Sequence, residues 1–159
     1  MLTTDIKKSI DTCVLCWLAT VDENQQPNVS PKEMFTYLDD HTLLIANIAS
    51  PNSVRNIAQQ PKVSVSFVDV FTQKGFKLKG EAKLITKEDA SYAAKAKRFA
   101  DLFSDKFPIQ SVIEIKVTKV DSILAPNYWL FPDSTTEQSQ IEGAMKTYGV
   151  KPIQTASNV

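Results

Sequence analysis

The stretch "LATVDENQQPNVSPKEMF", Leu18 to Phe35, sets two strand-like runs on either side of a polar turn, and reading it as a hairpin decides the rest of the chain. "VLCWLATV" is an apolar run of strand formers, "DENQQP" is polar and ends in proline, and "NVSPKEMFTYL" alternates. Alternation puts Val29, Pro31, Phe35 and Tyr37 on one face and Asn28, Ser30 and Lys32 on the other. Pro31 brings no N–H to a ladder, so this second strand is expected at a sheet edge, or irregular at that point.

Toward the C-terminus, a turn at Leu38–His41 leads into "TLLIANI", a third strand apolar enough to be covered on both faces. "IASPNSVRNI", Ile48 to Ile57, then reads as a helix start: Ser50 is the N-cap, Pro51 takes the first helical position, and Val54, Ile57 and Ala58 form the buried stripe. Pro61 stops that helix. Such a start offers unpaired N–H groups and the positive end of the helix dipole, a natural seat for an anion.

"KVSVSFVDV" and "FKLKGEAKLI" follow as strands four and five, with Val63, Val65, Phe67, Phe76, Leu78, Ala82 and Leu84 inward and a bulge expected at Gly80. Thr86 and Asp89 suggest a loose capping box for a helix reaching about Ser104, with Tyr92, Ala96, Phe99 and Phe103 as its stripe. "SVIEIKVTKVDSIL" is strand six and "APNYWLFPD" a Pro-rich aromatic loop. "TTEQSQIEGAMKTYG" is a closing helix with Ile141, Ala144, Met145 and Tyr148 on one side and Gly149 as C-cap. Upstream of the hairpin, Thr4 is read as the N-cap of a short helix that buries Ile6 and Ile10 and ends near Thr12. The pattern predicts a mainly β protein with flanking helices: a six-stranded antiparallel barrel in one domain over 1–150, with a loose tail at 151–159.

Composition narrows the function classes. Eighteen Lys and Arg balance eighteen Asp and Glu, which argues against a polyanion partner such as nucleic acid. No apolar run approaches the roughly 18 residues of a membrane span, and the N-terminus lacks the apolar middle of a signal peptide, so a cytoplasmic protein is expected. A single histidine, His41, and the absence of GxGxxG, GxxxxGK[ST] and HExxH leave no hydrolytic or metal constellation. Cys13 and Cys16 spell "CVLC", but the pair opens a strand-like run, where an offset of three sends the side chains to opposite faces, and further ligands are missing. They are read as structural cysteines, and no metal is expected.

The hairpin, then "LLIANIASPNSVRNIAQQPKVSVSFVD", then "FKLKGEAKLI", from about Val14 to Ile85, resemble in order and spacing the pyridoxamine 5'-phosphate oxidase-like flavoproteins with the FMN-binding split β-barrel fold. The C-terminal part resembles a branch distinct from the true oxidases. The resemblance implies FMN as cofactor and a C2 homodimer with flavin between subunits. Carried over by position, Val29, Ser30, Pro31 and Lys32 would edge the ring or ribityl chain, Ala46, Asn47 and Ile48 would supply contacts from strand three, and Asn52 and Ser53 would face the phosphate. The authentic oxidases carry Arg then Lys where this chain has Asn52 and Ser53, so two charge-assisted contacts are lost. Lys32 and Arg55 are the candidates to replace them. The oxidases' substrate-phosphate Arg and His near the C-terminus have no counterpart, which disfavours vitamin B6 oxidation. Trp129 is a candidate cap on the flavin or one wall of a substrate pocket, with plugging of the barrel mouth or a dimer seam as its other reading. An FMN-dependent oxidoreductase of a small molecule is the expectation, with a non-enzymatic flavin-binding or sensing module as its rival.

Overall fold

The structure, a computed structural model, describes residues 1–153; the rest of the tail, 154–159, lies outside the described residues. Helix α1 (Thr4–Thr12) precedes strands β1 (Cys16–Val21), β2 (Pro27–Lys32), β3 (Phe35–Tyr37) and β4 (Thr42–Asn47). Then come α2 (Pro51–Gln59), β5 (Lys62–Asp69), β6 (Lys74–Ile85), α3 (Tyr92–Leu102), β7 (Ser111–Leu124), α4 (Asn127–Leu130) and α5 (Glu137–Tyr148). Every strand pairing is antiparallel, in the order β2-β1-β5-β6-β7-β4-β3.

That order forces the sheet to curl. β2 and β3 are its two edges, yet only Glu33 and Met34 separate them in the chain. Three Cα steps reach at most about 11 Å, whereas the edges of a flat seven-stranded sheet would lie roughly 29 Å apart. The edges therefore meet without pairing, which is a split barrel. The single strand expected over Asn28–Leu38 is in fact two, so the count is seven rather than six. The break also overturns the shared face: Phe35 is buried in the barrel while Val29 is 58% exposed on the rim.

β4 alternates between two cores, as a run covered on both faces must. Leu43 and Ile45 join Leu18, Val65, Phe67, Leu78 and Ile115 inside the barrel, where α1 contributes Ile6 and Ile10 and α2 contributes Ile57. Leu44 and Ala46 face outward onto Phe99 of α3. The register slips between Lys79 and Gly80, as expected of a bulge, and a Cβ at Gly80 would overlap the Lys116 carbonyl oxygen.

Local boundaries moved where tertiary contacts outweighed sequence pattern. The N-cap of α1 is Thr3, whose Oγ1 accepts the Ile6 N–H. Thr86 and Asp89 close an isolated turn, with Asp89 Oδ2 accepting the Thr86 N–H at 2.7 Å, and α3 starts only at Tyr92. It ends at Leu102, leaving Phe103 exposed. α2 buries Ser53, Asn56 and Ile57 while Ala58 faces solvent, because the helix leans on polar groups of the sheet. The aromatic loop contains the one-turn α4, and α5 buries Gln140 and Ala144 rather than Tyr148. Its ends are capped by a Thr136–Ser139 box and by left-handed Gly149.

Gly80→Val is expected to lose about 1–3 kcal/mol through overpacking against the Lys116 backbone, lowering Tm by roughly 2–12 °C. Thermal unfolding followed by circular dichroism reads this, and an unchanged Tm would show that the bulge has room for a side chain.

Candidate functional site

The split in the barrel brings the end of β2, the end of β4 and the start of α2 together. Lys32, the last residue of β2, is 6% exposed, and its Nζ donates to Ser30 Oγ at 2.8 Å and Ser50 Oγ at 2.6 Å. Ser30 and Ser53 hydroxyls share a hydrogen bond of 3.0 Å. Among the described residues no carboxylate pairs with this ammonium. Burial holds its pKa below the usual lysine value, against a smaller opposing influence from the neighbouring Cys16 thiol.

Ser50 does not cap its own helix. Its N–H is held by Asn47 Oδ1 at 3.1 Å, and its hydroxyl is taken by Lys32 instead of turning onto the α2 amides. Asn47 is itself fixed by donating from Nδ2 to Ser111 Oγ at 3.0 Å, which ties the end of β4 to the start of β7. The first satisfied N–H of α2 belongs to Val54, on the Ser50 carbonyl at 3.1 Å; among the described residues nothing accepts from the N–H of Asn52 or Ser53. The first turn of α2 also carries no acidic side chain. A buried cation without an anion, three hydroxyls and an uncapped helix start make a seat for a compact anion.

The expected residues divide around this seat. Pro31, Lys32, Ala46 and Ile48 line a cavity of about 220 Å³ together with Met34 and Ser50. Asn52 and Arg55 border a second hollow of about 300 Å³, lined also by Asn28 and Asn56. Ser30 and Ser53, joined through their hydroxyls, line neither hollow, and Asn47 acts by holding the Ser50 N–H. Val29 stays outside on the rim. Trp129 lies on α4, 62% exposed, beyond the end of the 14-residue strand whose other end, Ser111, touches Asn47. It does not join the seat.

Several contributors were not singled out from sequence. Ser50 was read only as a cap, and Thr20 and Asn56 carried no pattern: Thr20 Oγ1 accepts from Asn56 Nδ2 at 3.0 Å and Asn28 Nδ2 at 3.2 Å, pinning α2 to the hairpin. A helix stripe with Ser53 and Asn56 at a three-residue spacing was the available signal. The cysteines are structural but not as placed. Cys13 is the C-cap of α1, outside the strand, and both cysteines pack on the barrel interior. Burial pushes the Cys16 thiol up to about 12 and raises that of Cys13, which removes thiolate chemistry near neutral pH.

A profile of the family described as pyridoxamine 5'-phosphate oxidase matches residues 2–124. The crystal structure of HupZ from Group A Streptococcus is 28% identical, with a TM-score of 0.70 over 79% of this chain and 96% of that one. An FMN-binding protein from Syntrophomonas wolfei shares the fold at 16% identity and a TM-score of 0.62, over 74% of this chain and 86% of that one. The heme storage protein HutZ of Vibrio cholerae also shares it, at 19% identity and a TM-score of 0.62, over 77% and 94%. No curated protein matches the chain.

The lowered pKa of Lys32 fixes the sign of a pH effect. Between that value and the ordinary lysine value of 10.5, the folded chain binds fewer protons than the unfolded one, so this residue's contribution to stability rises with pH there. Lys32→Met abolishes that contribution and removes a buried charge; it is expected to raise the Tm of the ligand-free protein by about 2–4 °C. A Tm that falls would mean that the hydroxyls already compensate the ammonium in full.

Proposed function

This chain belongs to the pyridoxamine 5'-phosphate oxidase family, and from that premise we propose that it binds FMN by its phosphate at the Lys32 seat and serves as a flavin-dependent oxidoreductase for a small molecule. The observation that carries the reading is the ammonium of Lys32 with hydroxyl partners alone, facing a helix whose capping side chain has been drawn away. A phosphomonoester dianion supplies what both lack.

The residues fit the group. Lys32, Ser30, Ser50 and Ser53 would hold the phosphate together with the N–H groups of Asn52 and Ser53, and the cavity beside Pro31, Ala46 and Ile48 would take the start of the ribityl chain. FMN, when bound, supplies a ring that accepts or donates hydride. The chain's own work is to fix the phosphate, present the β2 and β4 backbone to the ring and exclude water. Heme would need an axial ligand, and His41, the chain's single imidazole, is exposed in the turn before β4; the seat holds no imidazole or thiolate.

The reading includes a second copy of the chain. Trp17, 47% exposed, stands opposite Pro31, and Ala19 opposite Val29, so the outer face of the β1–β2 hairpin beside the seat is apolar and open. A twofold-related copy covering this face would close the flavin site, and the Trp129 of that copy would be the one to reach it. A flavin-sensing module without turnover is the competing use of the same geometry.

FMN titrated into the protein is expected to lose fluorescence, and riboflavin, which lacks the phosphate, to bind at least about 100-fold more weakly, since charge-assisted hydrogen bonds contribute about 1.5–3 kcal/mol each. Ser50→Asp places a carboxylate on Lys32 and caps α2, and is expected to raise Tm while abolishing FMN binding. Riboflavin bound as tightly as FMN, or FMN retained by Ser50→Asp, would move the phosphate elsewhere. Reduction of the bound flavin by NADH or NADPH under anaerobic conditions separates a reductase from a sensor, and a parallel hemin titration tests the heme alternative.

Val29→Glu together with Trp17→Lys is expected to turn a dimer into a monomer and to cost FMN affinity. Sedimentation of both proteins reads it; a wild-type monomer that binds FMN fully would sink the two-copy site.

A further inference from the structure

The family match ends at residue 124, where β7 ends, and the chain beyond it folds back onto one place. The Ala125 N–H donates to the Gln73 carbonyl at 3.1 Å, and Tyr128 Oη donates to the Thr72 carbonyl at 2.8 Å. Lys74 Nζ lies 2.6 Å from Glu137 Oε1 and 4.7 Å from the centre of the Tyr128 ring, while Phe71 meets Tyr148 edge-on at 6.2 Å. All of these contacts grip the β5–β6 turn, in which Gln73 is held at φ 56°, a left-handed conformation unusual for a residue with a side chain. The added segment thus braces this turn and brings Glu137 to the rim of the space beside it.

Between that turn and α1 lies a cavity of about 590 Å³, within the size range of small-molecule sites. Its floor is the inward face of the projecting ends of β6 and β7, where Phe76 pairs with Ser122 and Lys74 with Leu124; Phe76 also packs at a tilt against Phe67 of the barrel interior. The charges around it are unequally committed. Glu137 is paired with Lys74, and Asp69 Oδ1 accepts the N–H groups of Phe71 and Thr72. Asp5 sits in the first turn of α1, where the helix dipole holds a carboxylate. Lys8, one turn further along α1, has no carboxylate partner among the described residues, and Ser9 and Ser122 line the same space.

We propose that this cavity is a second ligand site, for a small organic anion with an apolar body: a carboxylate of the arylalkanoate kind, its charge on Lys8 and its ring on Phe76 and Leu124. The site is independent of the flavin reading, since none of its residues belongs to the Lys32 seat.

Anilinonaphthalene sulfonate, an anionic dye that brightens in apolar surroundings, is the probe, with phenylpropionate and the uncharged phenylpropanol as competitors on the full chain. Phenylpropionate is expected to displace the dye at least about tenfold better than phenylpropanol. Lys8→Glu, at an exposed position that leaves Tm unchanged, and Ser122→Trp, which fills the cavity, are each expected to weaken the acid about tenfold or more. Absence of displacement by the acid, equal displacement by acid and alcohol, or acid binding that survives Lys8→Glu in a protein of wild-type Tm, overturns the proposal.

Discussion

A covalent link too short for a flat sheet governs this molecule. Glu33 and Met34 must carry the chain from one edge of the sheet to the other, and everything between those edges has to roll to let them. The edges approach without hydrogen-bonding to each other, so their backbone groups at the seam are left for other partners. One is taken up locally, as Ala46 donates to the Met34 carbonyl at 3.0 Å. Lys32 is the last residue before the crossing, and the same geometry that rolls the sheet drives its side chain inward, beneath the start of α2. The site is a consequence of how the barrel closes rather than an addition to it.

Burying a lysine there runs against stability. An ammonium taken from water with only hydroxyl partners recovers part of its hydration, and α2 forgoes a cap worth about 1 kcal/mol when Ser50 turns to Lys32. Both deficits have the same remedy, a dianion between the ammonium and the free amides. Polar support elsewhere keeps the arrangement from relaxing: Asn47 holds Ser50 on one side, and Asn56 with Thr20 anchors the helix on the other. A side chain free to swing out would have satisfied the lysine with solvent and lost the seat.

Strand positions were legible because their signals are local. Alternation in β5 and β6, the wholly apolar β4, Pro51 after Ser50 and Gly80 in a strand each report their own environment, and each landed where expected. What depends on a distant partner was not legible. The crossing at Glu33–Met34 reversed the facing of Phe35 against Val29, since nothing local says that one strand becomes two opposite edges. Ser50 has the residue type of a cap but a hydroxyl that accepts from Lys32, and only the position of Lys32 decides between the two. Cys13 left the strand for the end of α1, so the offset of three from Cys16 had no bearing on where the two thiols point. The one-turn α4 forms on the β5–β6 turn, a contact between residues more than fifty positions apart.

Under the proposed reading, moving the cation from the helix to the sheet changes which anion the seat would select. Of a basic pair on the first turn of α2, as the resemblance to the oxidases implies for them, the residue at the exposed position of Asn52 would stand in solvent, attract any anion over a Debye length of about 8 Å and weaken with salt. Lys32 acts only at contact: it is enclosed by Ser30 and Ser50, cannot follow a misplaced ligand, and interacts in a medium of low polarity where a well-placed charge counts for more. The geometry therefore trades long-range attraction for fit. An anion that reaches both the ammonium and the amides of Asn52 and Ser53 satisfies two orphaned groups at once, whereas one that reaches only the ammonium leaves the helix start bare. A terminal phosphate on a flexible chain meets that requirement, and a carboxylate, with two oxygens in one plane, meets half of it.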